Sequence, residues 1–236
     1  QEHRNGCDMV KKLEILGMAL DNYTVQEAMR HVEGFLGNDM MNTVETISMD
    51  TLVRAQEDEE LKECIKSLDL TVVSDKEILK AAEAETSPQR IQETVDNLFQ
   101  REFLKRAARN NRTVYLLGDD SLQLDALQGF LRENYSRVKV VGSYALADCL
   151  GDYDKVINEI NIAEPDVLVS VVSTPEQEYF LKANKEKLNV KIWYGLGKDY
   201  TSKKGVSEVA GFAKKLIQKG MMHSMLARYN KKDGPA

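Results

Sequence analysis

The second half of the chain does most to limit the fold. Between residues 113 and 197, short apolar runs alternate with amphipathic stretches of helical period. Thr113-Val114-Tyr115-Leu116-Leu117 stops at Gly118-Asp119-Asp120, and a helical pattern over 121–135 follows. The second run is Val138-Lys139-Val140-Val141-Gly142, and the third is Asp166-Val167-Leu168-Val169-Ser170-Val171-Val172. The fourth, Val190-Lys191-Ile192-Trp193-Tyr194, closes at Gly195-Leu196-Gly197. Largely apolar runs separated by helices of this length predict a parallel sheet covered on both faces. The expected fold class is α/β, a Rossmann-like parallel sheet flanked by helices. Such sheets bind ligands beyond the carboxyl ends of their strands. The turns after Leu117, Val172 and Tyr194 are where a site is expected.

The first half reads as an α/β lobe over 9–105. A strand over 11–16 is ended by Gly17, and a helix over 25–36 opens with the capping box Thr24/Glu27 and stops at Gly37. A strand over 43–49, an acidic helix over 50–67, a strand over 70–73 and a helix over 75–84 follow. Thr86-Ser87-Pro88 breaks the pattern before a helix over 88–110. The second lobe spans 110–200. A last helix over 206–229 carries the stripe Val206, Val209, Phe212, Ala213, Leu216 and Ile217 and ends in a basic segment. It is expected to pack back on the core, the alternative being contact with a membrane surface.

Composition excludes several classes. A net charge of -6 leaves no basic excess for nucleic acid. No run of 18 apolar residues is present, so no spanning helix is expected, and the polar start Gln1 to Asp8 lacks the apolar segment of a signal peptide. The three cysteines and three histidines are scattered, with no CxxC pair, so neither a metal site nor a disulfide is expected. Without a GxGxxG, a nicotinamide or flavin cofactor is not expected either. The cytoplasm, at the inner membrane face if the last helix meets lipid, is the expected location.

The words inside these elements resemble the WecG/TagA/CpsF group, glycosyltransferase family 26. They are Ile15-Leu16-Gly17, Asp21-Asn22, Thr24, Glu27-Ala28, Val114 to Gly118, Val156 to Val172, Pro175-Glu176-Gln177-Glu178 and Lys185 to Lys191. The resemblance implies a UDP-sugar donor, an N-acetylmannosamine-like sugar and a lipid-linked acceptor in cell-surface polysaccharide synthesis. It also implies site residues. Thr46 and Ser48 match the family's Thr-x-Asn-Pro-Glu, with Ser48 in place of the Asn. Asp75 matches the Asp proposed as base, Thr94 matches a Thr-Gly-x-Asp motif that here lacks its glycine, and Gln177 matches a substrate-site Gln. The late Gly-Gly turn and the Arg- and Trp-rich arm of the family are absent or reduced. These departures keep a second reading open, an inactive binding or regulatory subunit on the same scaffold. An oligomer is compatible with either.

The residues themselves admit these roles. Transfer to an alcohol needs a carboxylate to accept the proton, which Asp75 after a strand would suit. Ser74 and Glu77 would equally make a capping box around it. Thr174, Pro175 and Gln177 also fit a helix start, yet helix-start N–H groups can hold a phosphate. Gly118, Asp119, Pro175, Gly195 and Gly197 line the turns where a nucleotide would lie. The strand aromatics Trp193 and Tyr194 are expected in the core, Asp166 at a strand start, and the acidic run over 57–60 on a solvated face.

Overall fold

The computed structural model describes residues 11–82, 86–149, 151–197 and 200. Six parallel strands form one sheet: β3 (Asn42–Ile47), β4 (Leu70–Val73), β5 (Thr113–Gly118), β6 (Lys139–Ala145), β7 (Val167–Ser170) and β8 (Ile192–Gly195). Their order across the sheet is β4-β3-β8-β7-β5-β6. Strands β1 (Lys12–Ile15) and β2 (Met18–Asp21) form a separate antiparallel hairpin. Both halves of the chain therefore hydrogen-bond into one sheet, joined where β3 pairs with β8.

Strand alternation sends side chains to two faces. On one face Val44, Val114, Leu116, Val167, Val169, Ile192 and Tyr194 pack under α1 (Val25–Gly37), α6 (Leu98–Arg109) and α7 (Ser121–Asn134). On the other, Tyr115, Leu117, Leu168 and Trp193 pack under α8 (Asp154–Ala163) and α9 (Glu176–Asn184). The hairpin, α2 (Met49–Arg54), α3 (Glu59–Lys66) and α4 (Lys76–Ala81) build a third cluster around Ile47 and Val73. The remaining helix, α5 (Pro88–Val95), precedes α6. Trp193 and Tyr194 are fully buried, as expected of strand aromatics.

Several elements differ from the sequence expectation. Gly17 does not end a lone strand. With Leu16 it makes a two-residue turn in which both have positive φ, 53° and 71°, and β2 follows. That geometry matches the twist of a hairpin. The acidic helix divides in two, because Asp58 caps α3 by accepting from Leu61 N–H. Asp58 also accepts from the Tyr179 hydroxyl, and Glu60 pairs with Lys182, so this run is partly tied to α9. The helix over 88–110 breaks at Asn97, which is left-handed at φ 48°. The capping box at Thr24 is present as expected.

One device recurs at the amino rim of the sheet. Asp69, just before β4, accepts from Thr43 N–H at 2.7 Å, while its own N–H donates to Thr43 Oγ1 at 3.0 Å. Asp166, just before β7, does the same with Thr113, at 3.0 and 2.9 Å. Asp21 and Thr71 repeat the exchange at 2.8 and 2.7 Å and tie the hairpin to β4.

Candidate functional site

All six strands point their carboxyl ends the same way, so the turns after them share one rim. The connection from β5 to β6 runs through α7 on one face. That from β7 to β8 runs through α9 on the other. Strands β5 and β7 are neighbours whose connections leave in opposite directions, which opens a crevice between their ends. Gly118 and Asp119 stand on one side of it, Ser173 and Thr174 on the other.

The crevice is bridged by Asp119. Its carboxylate accepts from Ser173 N–H at 3.0 Å and from Ser173 Oγ at 2.5 Å. The Asp119 N–H donates to Gln123 Oε1 at 2.6 Å. Gly118 permits that return of Gln123, since a Cβ there would lie 2.9 Å from Gln123 Oε1. Both bonds from Ser173 fix the Asp119 carboxylate across the crevice. Gly197 lies in the left-handed region at φ 75°, with open space where a Cβ would point.

At the far end of the same rim, β3 and β4 finish side by side. Thr46 Oγ1 is 3.5 Å from the Tyr194 hydroxyl, whose acidity is suppressed by burial. Ser48 caps α2 by accepting from Thr51 N–H at 3.2 Å. Asp75 Oδ2 accepts from Met49 N–H at 2.7 Å, so the structure places Asp75 against the turn that carries Ser48 just after Thr46 and the end of β3. The expected Ser74 capping box is not formed. Asp75 itself is the N-cap of α4 without a side-chain cap bond, and Ser74 Oγ donates to Ile47 O at 3.1 Å. The reason is local: α4 starts at Lys76 with Asp75 at its N-cap, which leaves Ser74 one residue outside the capping position. Four strand spacings separate the ends of β4 and β5, about 19 Å at roughly 4.8 Å each.

Thr94 lies on α5, not at a strand end. It is buried, and its hydroxyl accepts from Arg90 Nη1 at 2.6 Å. Arg90 was not expected in the site. It is 7% exposed, its Nε has no partner, and burial pulls its guanidinium below the ordinary value. Its neighbour Glu93 accepts from Val25 N–H at 2.9 Å, docking α5 against the start of α1. One sequence signal pointed to Arg90: a cation in the first turn after Ser87-Pro88 opposes the helix dipole, so its place needs another reason.

Gln177 sits on the α9 face under β8. The capping expected of Thr174 and Gln177 is replaced. Pro175 is the N-cap, with a cis bond before it, and Thr174 Oγ1 donates to Glu178 Oε1 at 2.9 Å. Gln177 is 2% exposed and within hydrogen-bonding reach of Glu45. Gly195 makes room for both, since a Cβ there would lie 2.6 Å from Glu45 Cγ and 2.8 Å from Gln177 Nε2. The Gly195 backbone is therefore covered by the chain's own side chains. Burial, and then the charge of Glu178, raise the Glu45 carboxyl well above the ordinary carboxylate range. Sequence patterning did not reveal Glu45, which reads as an ordinary strand residue.

Among the described residues no group of His, Cys, Asp and Glu could hold a metal ion, and no helix is long and apolar enough to cross a membrane. The helix expected over 206–229 lies outside the described residues.

Comparison with known proteins places this architecture. The sequence model described as "Glycosyl transferase WecG/TagA/CpsF family" matches residues 13–201. A protein of Staphylococcus aureus strain MRSA252 is 24% identical over 192 residues, covering 79% of this chain and 73% of its own. It is named N-acetylglucosaminyldiphosphoundecaprenol N-acetyl-beta-D-mannosaminyltransferase. The protein of the same name from strain NCTC 8325 / PS 47 is 23% identical over the same shares.

Proposed function

This chain belongs to the WecG/TagA/CpsF glycosyl transferase family, and we propose that it transfers an N-acetylmannosamine-like sugar from a UDP-sugar to a lipid-linked acceptor. The observation that carries the reading is the placement of Asp75. Its carboxylate stands at a strand end beside Thr46 and Ser48, oriented by Met49 N–H, at one end of the rim that holds the crevice.

In this reading the nucleotide lies over the β5–β7 crevice, along Gly118, Asp119, Pro175 and Gly197, with the sugar towards β3 and β4. Asp119, held in place by Ser173, serves the nucleotide by accepting from its ribose hydroxyls, because its charge would repel the diphosphate. Arg90, with an unpaired Nε, supplies positive charge for the diphosphate. Thr46, Ser48 and Thr94 orient the sugar and acceptor. Asp75 accepts the acceptor hydroxyl proton as its oxygen bonds to the anomeric carbon; the bond from that carbon to the diphosphate breaks, and UDP leaves. The name of the Staphylococcus aureus relatives supports the acceptor class, a prenyl-diphosphate-linked N-acetylglucosamine. Such an acceptor requires contact with a membrane surface, which the basic segment after 213 would favour. No metal or other cofactor is needed for this chemistry as proposed.

The test is transfer from UDP-N-acetylmannosamine to a short-chain prenyl-diphosphate N-acetylglucosamine, in wild type and Asp75→Asn. Asn keeps an oxygen for Met49 N–H but cannot take a proton. The expected result is a rate lower by about 10²–10⁴-fold with UDP affinity unchanged. Equal rates would remove Asp75 from the mechanism. A wild type that neither transfers nor binds UDP would favour a binding subunit instead.

A further inference from the structure

Beneath the rim, on the α9 face, lies a polar row with no place in that mechanism. Ser170, Gly195, Glu45 and Thr71 are register partners across β7, β8, β3 and β4, all buried. Glu45 is 1% exposed and Glu178, from α9, is 2% exposed. Their carboxyls are within hydrogen-bonding reach of each other. Glu45 Oε2, Glu178 Oε2 and Gln177 Oε1 are buried without partners. Among the described residues, no cation pairs with the two acids inside this layer. Cys64 and the more distant Glu60 face them from α3, Lys182 from α9 and Lys185 from the turn after it. Lys182 pairs instead with Glu60 on the surface, and Lys185 lies 3.8 Å from Asp69. A cleft of about 30 Å³, roomy enough for a water, opens onto both carboxyls between α3 and α9.

Two carboxylates this deeply buried and in hydrogen-bonding reach of each other resist being ionised together, even with one water at hand. A proton between them turns two acceptors into a donor and an acceptor. We propose that Glu45 and Glu178 share one proton, and that this pair is the seat that fixes the orientation of the Gln177 amide. Glu45 is thus a positioning residue acting through Gln177. Thr174 holds the opposite oxygen of Glu178, so the pair also ties β3 to the turn after β7. With the proton gone, the two charges repel across the only layer between β3 and α9, and Gln177 loses its neutral neighbour. The inference does not rest on the transferase reading, because every readout below is of the protein alone.

The experiment is carbon NMR of the full chain labelled at the Glu carboxyls and Gln amides, titrated through neutral pH. In wild type, one Glu carboxyl resonance is expected to stay at the protonated position into neutral pH. The Gln177 amide resonances should shift with the same midpoint. In Glu45→Gln the shared proton is replaced by an amide N–H, so both shifts should vanish while Gln177 keeps its low-pH position. Glu178→Gln gives the second, independent variant and should behave alike. Two Glu resonances that both titrate in the ordinary range would overturn the proposal. So would a Gln177 amide that ignores the titration. Movement of both carboxyl resonances on adding Mg²⁺ at neutral pH would overturn it as well, assigning the pair to a cation.

Discussion

Asp69 and Thr43 hold each other by a reciprocal pair of backbone-to-side-chain bonds, at 2.7 and 3.0 Å, across the amino ends of β3 and β4. The Thr43 hydroxyl also donates to the same carboxylate at 2.9 Å. Asp166 and Thr113 repeat the arrangement at β5 and β7, with Arg112 added on the solvent side at 3.1 Å. In each case the aspartate turns the incoming chain into its strand and satisfies an N–H at the start of the neighbour. Asp69→Ala and Asp166→Ala should each destabilise by about 1–3 kcal/mol, because each leaves a partly buried N–H and hydroxyl unmet. Urea midpoints should fall at an unchanged slope. Asn at either position should recover part of the loss.

Gly195 is bounded by side chains, not by open space. Ala there would place its Cβ 2.6 Å from Glu45 Cγ and 2.8 Å from Gln177 Nε2. A cost of about 1–3 kcal/mol is expected from the overpacking. The same variant should move the Gln177 amide resonances, since the two side chains cannot both keep their places. Gly197→Ala is the contrast. It costs about 1 kcal/mol through its positive φ and leaves Gln177 undisturbed.

Arg90 carries the diphosphate in the proposed reaction. Arg90→Gln keeps a donor for Thr94 but removes the charge. UDP affinity measured by calorimetry should fall about 10-fold or more, the scale of a lost charge-assisted bond. Uridine, which has no phosphate, should bind both proteins alike. Equal loss for uridine would mean that the substitution had disturbed the fold of α5.

Acid stability should report on the start of α1. Lys11, and then the capping bonds from Thr24, hold the Glu27 carboxyl down at about 2. A depressed carboxylate contributes stability that is present above its ordinary value of 4.5 and is lost as pH falls towards 2. Lys11→Met should raise the pH at which acid unfolding begins, and Glu27→Gln should flatten that limb. Circular dichroism against pH distinguishes them, with both expected to match wild type in slope near neutrality.

The sheet was legible because its strands are apolar on both faces and its helices carry their own start signals. Thr113 to Leu117 followed by Gly118, and Thr24 with Glu27, are local facts. The hairpin was not legible. Leu16 takes φ 53° with nothing in its side chain to announce it, and β2 is four residues long. Asn97 breaks a helix without Gly or Pro nearby. Of the candidate site residues, Asp75 and Gln177 are picked out by the motifs around them. Glu45 is not, because what distinguishes it is burial by partners distant in sequence, Gln177 and Glu178 lying over 130 residues away; Arg90 carries only the weak signal of a cation in a first helical turn.

The isolated acid at the middle of β3 bears on pairing as well as on Gln177. The strand Asn42-Thr43-Val44-Glu45-Thr46-Ile47 has no strict apolar alternation to tell it which way to face. Slipping by one residue exchanges the two faces of a strand. Glu45 would then enter the apolar layer of Phe99, Phe103 and Tyr194, where Val44 now lies. A lone acid there would cost several kcal/mol. The residue that weakens the core when correctly placed thus penalises the misplaced strand far more, and that difference selects the pairing of β3 with β4 and β8.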